Sequence, residues 1–126
     1  MNLLRIDHFV ITSSDVGDTI RFYTDVLGME LDNSGGRIAL KFGMCKINVH
    51  SKPAEFLPAA ECPSYGSQDI CLIASGPIGQ IVKELSEAGC PLELGPVKRY
   101  GACGKMESIY LRDPDGNLIE IAVYDD

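Results

Sequence analysis

"RDPDGNLIEI", residues 112–121, is the stretch that decides the fold. Its first half is a turn signal, since Pro114 and Gly116 stand beside aspartates whose side chains can hydrogen-bond the local backbone. Its second half reads as a strand, yet the carboxylate of Glu120 is set between Ile119 and Ile121. Successive side chains of a strand point to opposite faces. The isoleucines and Glu120 therefore have different addresses, and the sheet must have one packed face and one that tolerates charge.

Working outward, the periodicity changes in a fixed order, and the order occurs twice. "LRIDHFVIT" (4–12) alternates like a strand. "SSDVGDTIRFYTDVLG" (13–28) follows as a helix, with Ser14 or Asp15 as N-cap, Asp18 in the first turn, Val16, Ile20, Tyr23 and Leu27 at helical spacing, and Gly28 as the stop. Three strands are expected near 29–33, 36–42 and 45–50. Residues 51–66, with prolines at 53, 58 and 63, read as a linker. The second round has a strand in "SQDICLIA" and a helix in "SGPIGQIVKELSEAG", with Pro77 at its first position, Ile78, Ile81, Val82, Leu85 and Ala88 as the buried stripe, and Gly89 as the stop. Strands near 92–98, 106–112 and 117–123 complete it.

His8 and Asp69 each stand 20 positions before the glycine that ends the following helix, Gly28 or Gly89, so they are equivalent. "KINV" (46–49) lies over "LIEI" (118–121), which makes Asn48 the counterpart of Glu120. The expected fold is α+β: a single domain over 1–126 made of two βαβββ modules, 1–50 and 67–126, joined by the linker 51–66. A unit of about 50 residues leaves a sheet face open unless a second copy covers it.

Bulk properties narrow the function classes. A chain of 126 residues, 45% hydrophobic and 23% charged, can bury a real core without metal or disulfide. No apolar run approaches the roughly 20 residues that span a bilayer, and the N-terminus lacks a secretory core, so a cytoplasmic protein is expected. Net charge is −7 with scattered Lys and Arg, which argues against nucleic acid and anionic membranes as partners. Five cysteines without a C-x-x-C pair read as free thiols, several of them in the core; Cys103, in the Gly-rich "YGACGK", reads as a small loop residue, with exposure of its thiol the alternative.

On strand parity, Phe9, Ile11, Ile47, Val49, Ile70, Leu72, Ile109, Leu111, Ile119, Ile121 and Val123 share the packed face. The opposite parity holds His8, Lys46, Asn48, His50, Asp69, Ser108, Tyr110, Arg112 and Glu120. These line a polar concave interior. A carboxylate there must be paired, solvated or metal-bound. His8, at the equivalent position of the partner module, is its natural companion, either as a structural hydrogen bond or as a fellow ligand.

"DHFVI" near the start, "FYTDVLGM" at the end of the first helix and "SIYLRDPDGNLIEI" near the C-terminus resemble the vicinal oxygen chelate superfamily of glyoxalases, bleomycin-resistance proteins and extradiol dioxygenases, and within it the glyoxalase-domain-containing proteins. The resemblance implies two βαβββ modules with pseudo-twofold symmetry, an open barrel-like mixed sheet with helices outside, a homodimer, and one divalent metal held from the first and last strands of each module. Carried over, the metal ligands are His8, Asp69 and Glu120, with Glu120 also the catalytic carboxylate. Asp69 stands where a His is usual and Asn48 where Glu or Gln is usual. Oxygen-rich ligation favours Mn or Mg, and an imidazole admits Fe, Ni or Zn. Ser108, Tyr110, Lys105, Asn48 and His50 are the expected substrate contacts, with Lys105 and Arg112 placed to grip an anionic small molecule. Arg112 pairing with Asp113 or Asp115 is the alternative. His50 lies about 7 Å further along the strand than Asn48 and would reach the same ion only through a bulge.

Two functions follow. One is a metal-dependent small-molecule enzyme, a lyase, isomerase, transferase or dioxygenase whose substrate is chelated through oxygens. Glyoxalase I chemistry is disfavoured by two missing ligand types, and extradiol cleavage by the missing second His. The other is a metal-free binding protein of the bleomycin-resistance type, which the altered Asn48 and Asp69 would suit.

Overall fold

Alternating apolar residues form strands where the pattern places them, and the order strand, helix, three strands occurs twice. The structure, a computed structural model, describes all residues 1–126 and divides into two compact units, 1–67 and 68–126. The first contains β1 (His8–Thr12), α1 (Val16–Arg21), β2 (Glu30–Asp32), β3 (Ile38–Phe42) and β4 (Cys45–His50). The second contains β5 (Asp69–Ile73), α2 (Ile78–Glu87), β6 (Leu94–Gly101), β7 (Gly104–Arg112) and β8 (Leu118–Tyr124). The sheets are ordered β1-β4-β3-β2 and β5-β8-β7-β6. In each, the first strand runs parallel to the last and the other pairs are antiparallel. This is the α+β, twice-βαβββ class expected, each sheet being mixed and open.

Register verifies the equivalences. His8 pairs with Lys46, two residues before Asn48, and Asp69 pairs with Leu118, two residues before Glu120. Both Asn48 and Glu120 therefore sit on the central strand of their sheet. Ile11, Ile47 and Val49 in the first unit, and Ile109, Leu111, Ile119 and Ile121 in the second, are buried. Each fully buried aliphatic side chain contributes about 1.5–3 kcal/mol. Phe9, Ile70, Leu72 and Val123 share that parity but are only half-buried.

The first helix is shorter than its pattern. Asp15 is the N-cap, its side chain accepting from the Asp18 amide at 3.0 Å. At Phe22 the ladder widens into a π turn, Phe22–Val26, in which the Leu27 amide reaches back to the Phe22 carbonyl. The turn places Tyr23 fully inside, and Gly28, with φ +76°, ends it as expected. In the second helix Pro77 is the residue before the first turn rather than in it, in extended conformation. Leu85 is buried, whereas Ala88 is the exposed C-cap residue, one step past the helical stripe. "YGACGK" is a tight hairpin between β6 and β7, closed by pairing of Gly101 with Gly104. None of the five cysteines is in the core: Cys45 and Cys90 are half-buried, and Cys62, Cys71 and Cys103 are exposed. Cys71 falls on the polar parity of β5 and Cys62 in a loop, which is why a count of apolar residues overestimated their burial.

The 113–117 turn is held from within. Asp113 and Asn117 are both buried. Asp113 accepts from the amides of Asp115 (3.0 Å) and Asn117 (2.9 Å) and from the Asn117 side-chain amide (2.7 Å). Asn117 Oδ1 accepts from the Gln68 amide at 2.8 Å, at the threshold of β5. Replacing Asp113 by Ala strands three donors, and a loss of about 2–3 kcal/mol is expected in urea unfolding. A change below about 0.5 kcal/mol would show that the turn is not a structural clamp.

Candidate functional site

Each expected site residue is placed by its strand, and the two units differ in what they do with their polar parity. In the first unit His8 opens β1, half-exposed. Its Nδ1 lies 2.7 Å from Asp7 Oδ1, and since a carboxylate can only accept, Nδ1 is the donor of this pair and Nε2 is the nitrogen it leaves unused. The hydrogen bond to His8 holds the Asp7 carboxyl below the usual range. Asp7 was not anticipated, because strict alternation assigns it to the opposite face from His8; it stands just before β1, its carbonyl accepting from the Lys46 amide at 3.2 Å.

Asn48 lies between Val10 and Ala39 across the sheet, and its side chain makes no hydrogen bond with the protein. β4 pairs with both neighbours without a register shift, so the bulge that would carry His50 back to Asn48's level is not there. His50 instead packs edge-on against Phe56, ring centroids 5.2 Å apart, and the Arg37 guanidinium lies 4.1 Å from the same ring. Phe56 belongs to the stretch expected to be a linker. Glu55 captures the Ser51 amide and hydroxyl at 2.9 and 2.7 Å, with Ala54 at φ +54°, and this turn brings Phe56 back over β4. These side chains, with Lys46 and Asp32, line a cavity of about 270 Å³.

In the second unit the polar row is bonded to itself. Across the sheet Glu120 is flanked by Cys71 on β5 and Tyr110 on β7. Ser108, fully buried, donates to Glu120 Oε2 at 2.6 Å. Its only proton is spent there, so Ser108 orients the carboxylate rather than meeting a substrate. Tyr110 accepts from Arg99 Nε at 3.0 Å, with the Arg99 guanidinium 5.5 Å from its ring, and keeps its own proton to donate. Arg112 forms a two-pronged pair with Glu93, 3.0 Å on each arm, and not with Asp113 or Asp115; this pair lowers Glu93's pKa and raises that of Arg112. Arg112 is therefore committed. Lys105 falls on the opposite parity of β7 from Ser108 and Tyr110 and does not join them. Asp69 is exposed at the head of β5.

The donors suit a divalent ion in type: Nε2 of His8, which the Asp7 contact leaves unused, and the carboxylates of Asp69 and Glu120. They are divided between the units, however, and no three His, Cys, Asp or Glu side chains gather closely enough to hold a metal. Cys71 is the informative neighbour. Partial desolvation, then the adjacent Glu120 charge, push its thiol up to about 11. Glu120→Gln removes the charge and leaves the desolvation, so the Cys71 pKa falls and its alkylation at pH 9 speeds up, with exposed Cys103 as the internal reference. Unchanged Cys71 labelling would mean that the two side chains do not sense each other.

A family profile, Glyoxalase/Bleomycin resistance protein/Dioxygenase superfamily, matches residues 5–121. The chain is 52% identical over 121 residues to virulence protein STM3117 of Salmonella typhimurium, covering 95% of this chain and 84% of that protein. It is 49% identical over 127 residues to the glyoxalase domain-containing protein RDO1 of Mycosarcoma maydis, covering 100% of this chain and 72% of that protein. The crystal structure of STM3117 superposes with a TM-score of 0.96 at 51% identity, over 99% of this chain and 100% of that one.

Proposed function

The chain belongs to the Glyoxalase/Bleomycin resistance protein/Dioxygenase superfamily, and from that premise we propose that it is a metal-dependent enzyme acting on a small molecule bound through its oxygens. The observation that supports this most is the anchoring of both expected ligands. His8 is held through Nδ1 by Asp7, which leaves Nε2 unused, and Glu120 is held through Oε2 by Ser108, which leaves acceptor capacity on the same carboxylate. A carboxylate behind a histidine is the arrangement that fixes ring orientation and raises basicity in metal-ligating imidazoles.

His8, Asp69 and Glu120 are the residues that would hold the ion, and a Mn, Fe, Ni, Zn or Mg ion would supply Lewis acidity. Glu120 is the group available to take or give a proton, with Ser108 keeping its orientation. Tyr110, steadied by Arg99, has its hydroxyl proton free for a substrate oxygen. Lyase, isomerase, transferase and dioxygenase chemistry all fit this set. We infer a cytoplasmic location, which five unpaired cysteines support as a reducing compartment, and a homodimer, which the family resemblance implies.

The second reading, a metal-free binding protein, is favoured by Asn48 and Asp69 at two of the four ligand positions. Elemental analysis of protein purified without chelator decides between them. The enzyme reading expects stoichiometric metal, lost in His8→Ala, and a 10–100-fold weaker metal affinity in Asp7→Asn. Metal-free wild-type protein that still binds small molecules would end the first reading in favour of the second.

A further inference from the structure

We propose that the first unit carries an oxyanion-binding subsite, built by Arg37, Lys46, Asn48 and His50 against Phe56, that takes the carboxylate of a small acidic substrate. The proposal rests on the enzyme or binding-protein reading above only in calling the bound molecule a substrate. Its observations are independent of any metal.

The first is a pair of cations at one cavity of an acidic protein. Net charge is −7, yet Arg37 and Lys46 border one cavity of about 270 Å³ and neither has an ion-pair partner. The one carboxylate of the lining, Asp32, is occupied: it accepts from the Ser34 amide at 2.9 Å, which fastens the 34–36 turn, and hydrogen bonds to Ser34 are the main reason its pKa is lowered. The second is where Lys46 stands: it pairs with Lys41 across β3 and β4, and of the two it is Lys41 that has a carboxylate residue, Glu30, directly opposite on its other side.

The third observation is how Arg37 is held. Its guanidinium carbon lies 4.1 Å from the centroid of the Phe56 ring. The contact is with the ring, no N–H group of Arg37 is spent on a protein acceptor, and a guanidinium's N–H fork fits a carboxylate or phosphate. Ile38 pairs with Val49, so the next rung sets Arg37 opposite His50, and Asn48 lies one inward-facing step along β4. Neither Asn48 nor His50 has a protein hydrogen-bond partner for its side chain. Two cations and two uncommitted polar groups thus face one small space, and Phe56 offers an apolar wall for the carbon skeleton.

A carboxylate is favoured over phosphate because the Phe56 ring beside the cations offers apolar surface that a carboxylate's carbon skeleton can cover and inorganic phosphate cannot. The test is titration calorimetry on metal-stripped, dialysed protein, with succinate, inorganic phosphate and the neutral succinamide as probes. Succinate should bind, phosphate more weakly and succinamide not measurably. Removing the charged hydrogen bonds in Arg37→Met should weaken succinate about tenfold or more, with Lys46→Met also weaker and Arg37→Lys intermediate. Circular dichroism of each variant should match wild type. Succinate binding that is absent, unaffected by Arg37→Met, or seen only after metal is restored overturns the subsite, and tighter phosphate overturns the carboxylate assignment. The metal stoichiometry of Arg37→Met separates this result from the enzyme reading: it should equal wild type whichever way the anion titration falls.

Discussion

The buried Asp113 carboxylate is the constraint on which the second unit depends. A charge taken out of water is tolerated only when its acceptor capacity is filled, and here two backbone amides and the Asn117 side chain fill it. Asn117 then passes the constraint on, since its other side-chain atom receives the Gln68 amide and Gln68's carbonyl receives the Leu118 amide. The end of β7, the beginning of β8 and the approach to β5 are thereby locked in one register. A slip of one residue would exchange Glu120 with its isoleucine neighbours. The clamp is what keeps the carboxylate on the polar face.

The packed parity was legible in the sequence because it obeys a single rule. Ile47, Ile109, Leu111 and Ile119 recur at period two, and period two survives any detail of the turns. The repeat was legible for the same reason, and strand register bears out the pairing of His8 with Asp69 and of Asn48 with Glu120. What escaped depends on local geometry. The π turn after α1 arises from a change in hydrogen-bond span that composition does not encode. Phe56 was hidden in a proline-rich stretch whose turn is made by Ser51 and Glu55, and Asp7 was hidden because alternation assigns it to the face away from His8, whereas its side chain reaches the neighbouring ring.

Parity alone also cannot tell a free polar side chain from a committed one. Arg112 and Ser108 share the face of Glu120, as expected, yet one is fully engaged by Glu93 and the other by Glu120. Lys105 and Arg37 show the opposite error. Lys105 is close in sequence to Ser108 but on the other parity, and Arg37 is outside every motif but beside His50. The cations nearest the candidate acids in sequence are therefore not the ones left free to meet a ligand.

The two halves, alike in topology, have diverged on the face that folding leaves unconstrained. In the first, the central-strand residue Asn48 is flanked by Val10 and Ala39, and Arg37 and Lys46 border the same cavity without an ion pair. In the second, Glu120 is flanked by Cys71 and Tyr110, and nearly every polar group is bonded to another. One half is equipped to receive negative charge, and the other to hold it rigidly. Because the isoleucine parity carries the stability of both sheets, each inner face could change its chemistry without cost to the core. A duplicated sheet with one packed side can in this way assign anion capture to one copy and carboxylate chemistry to the other.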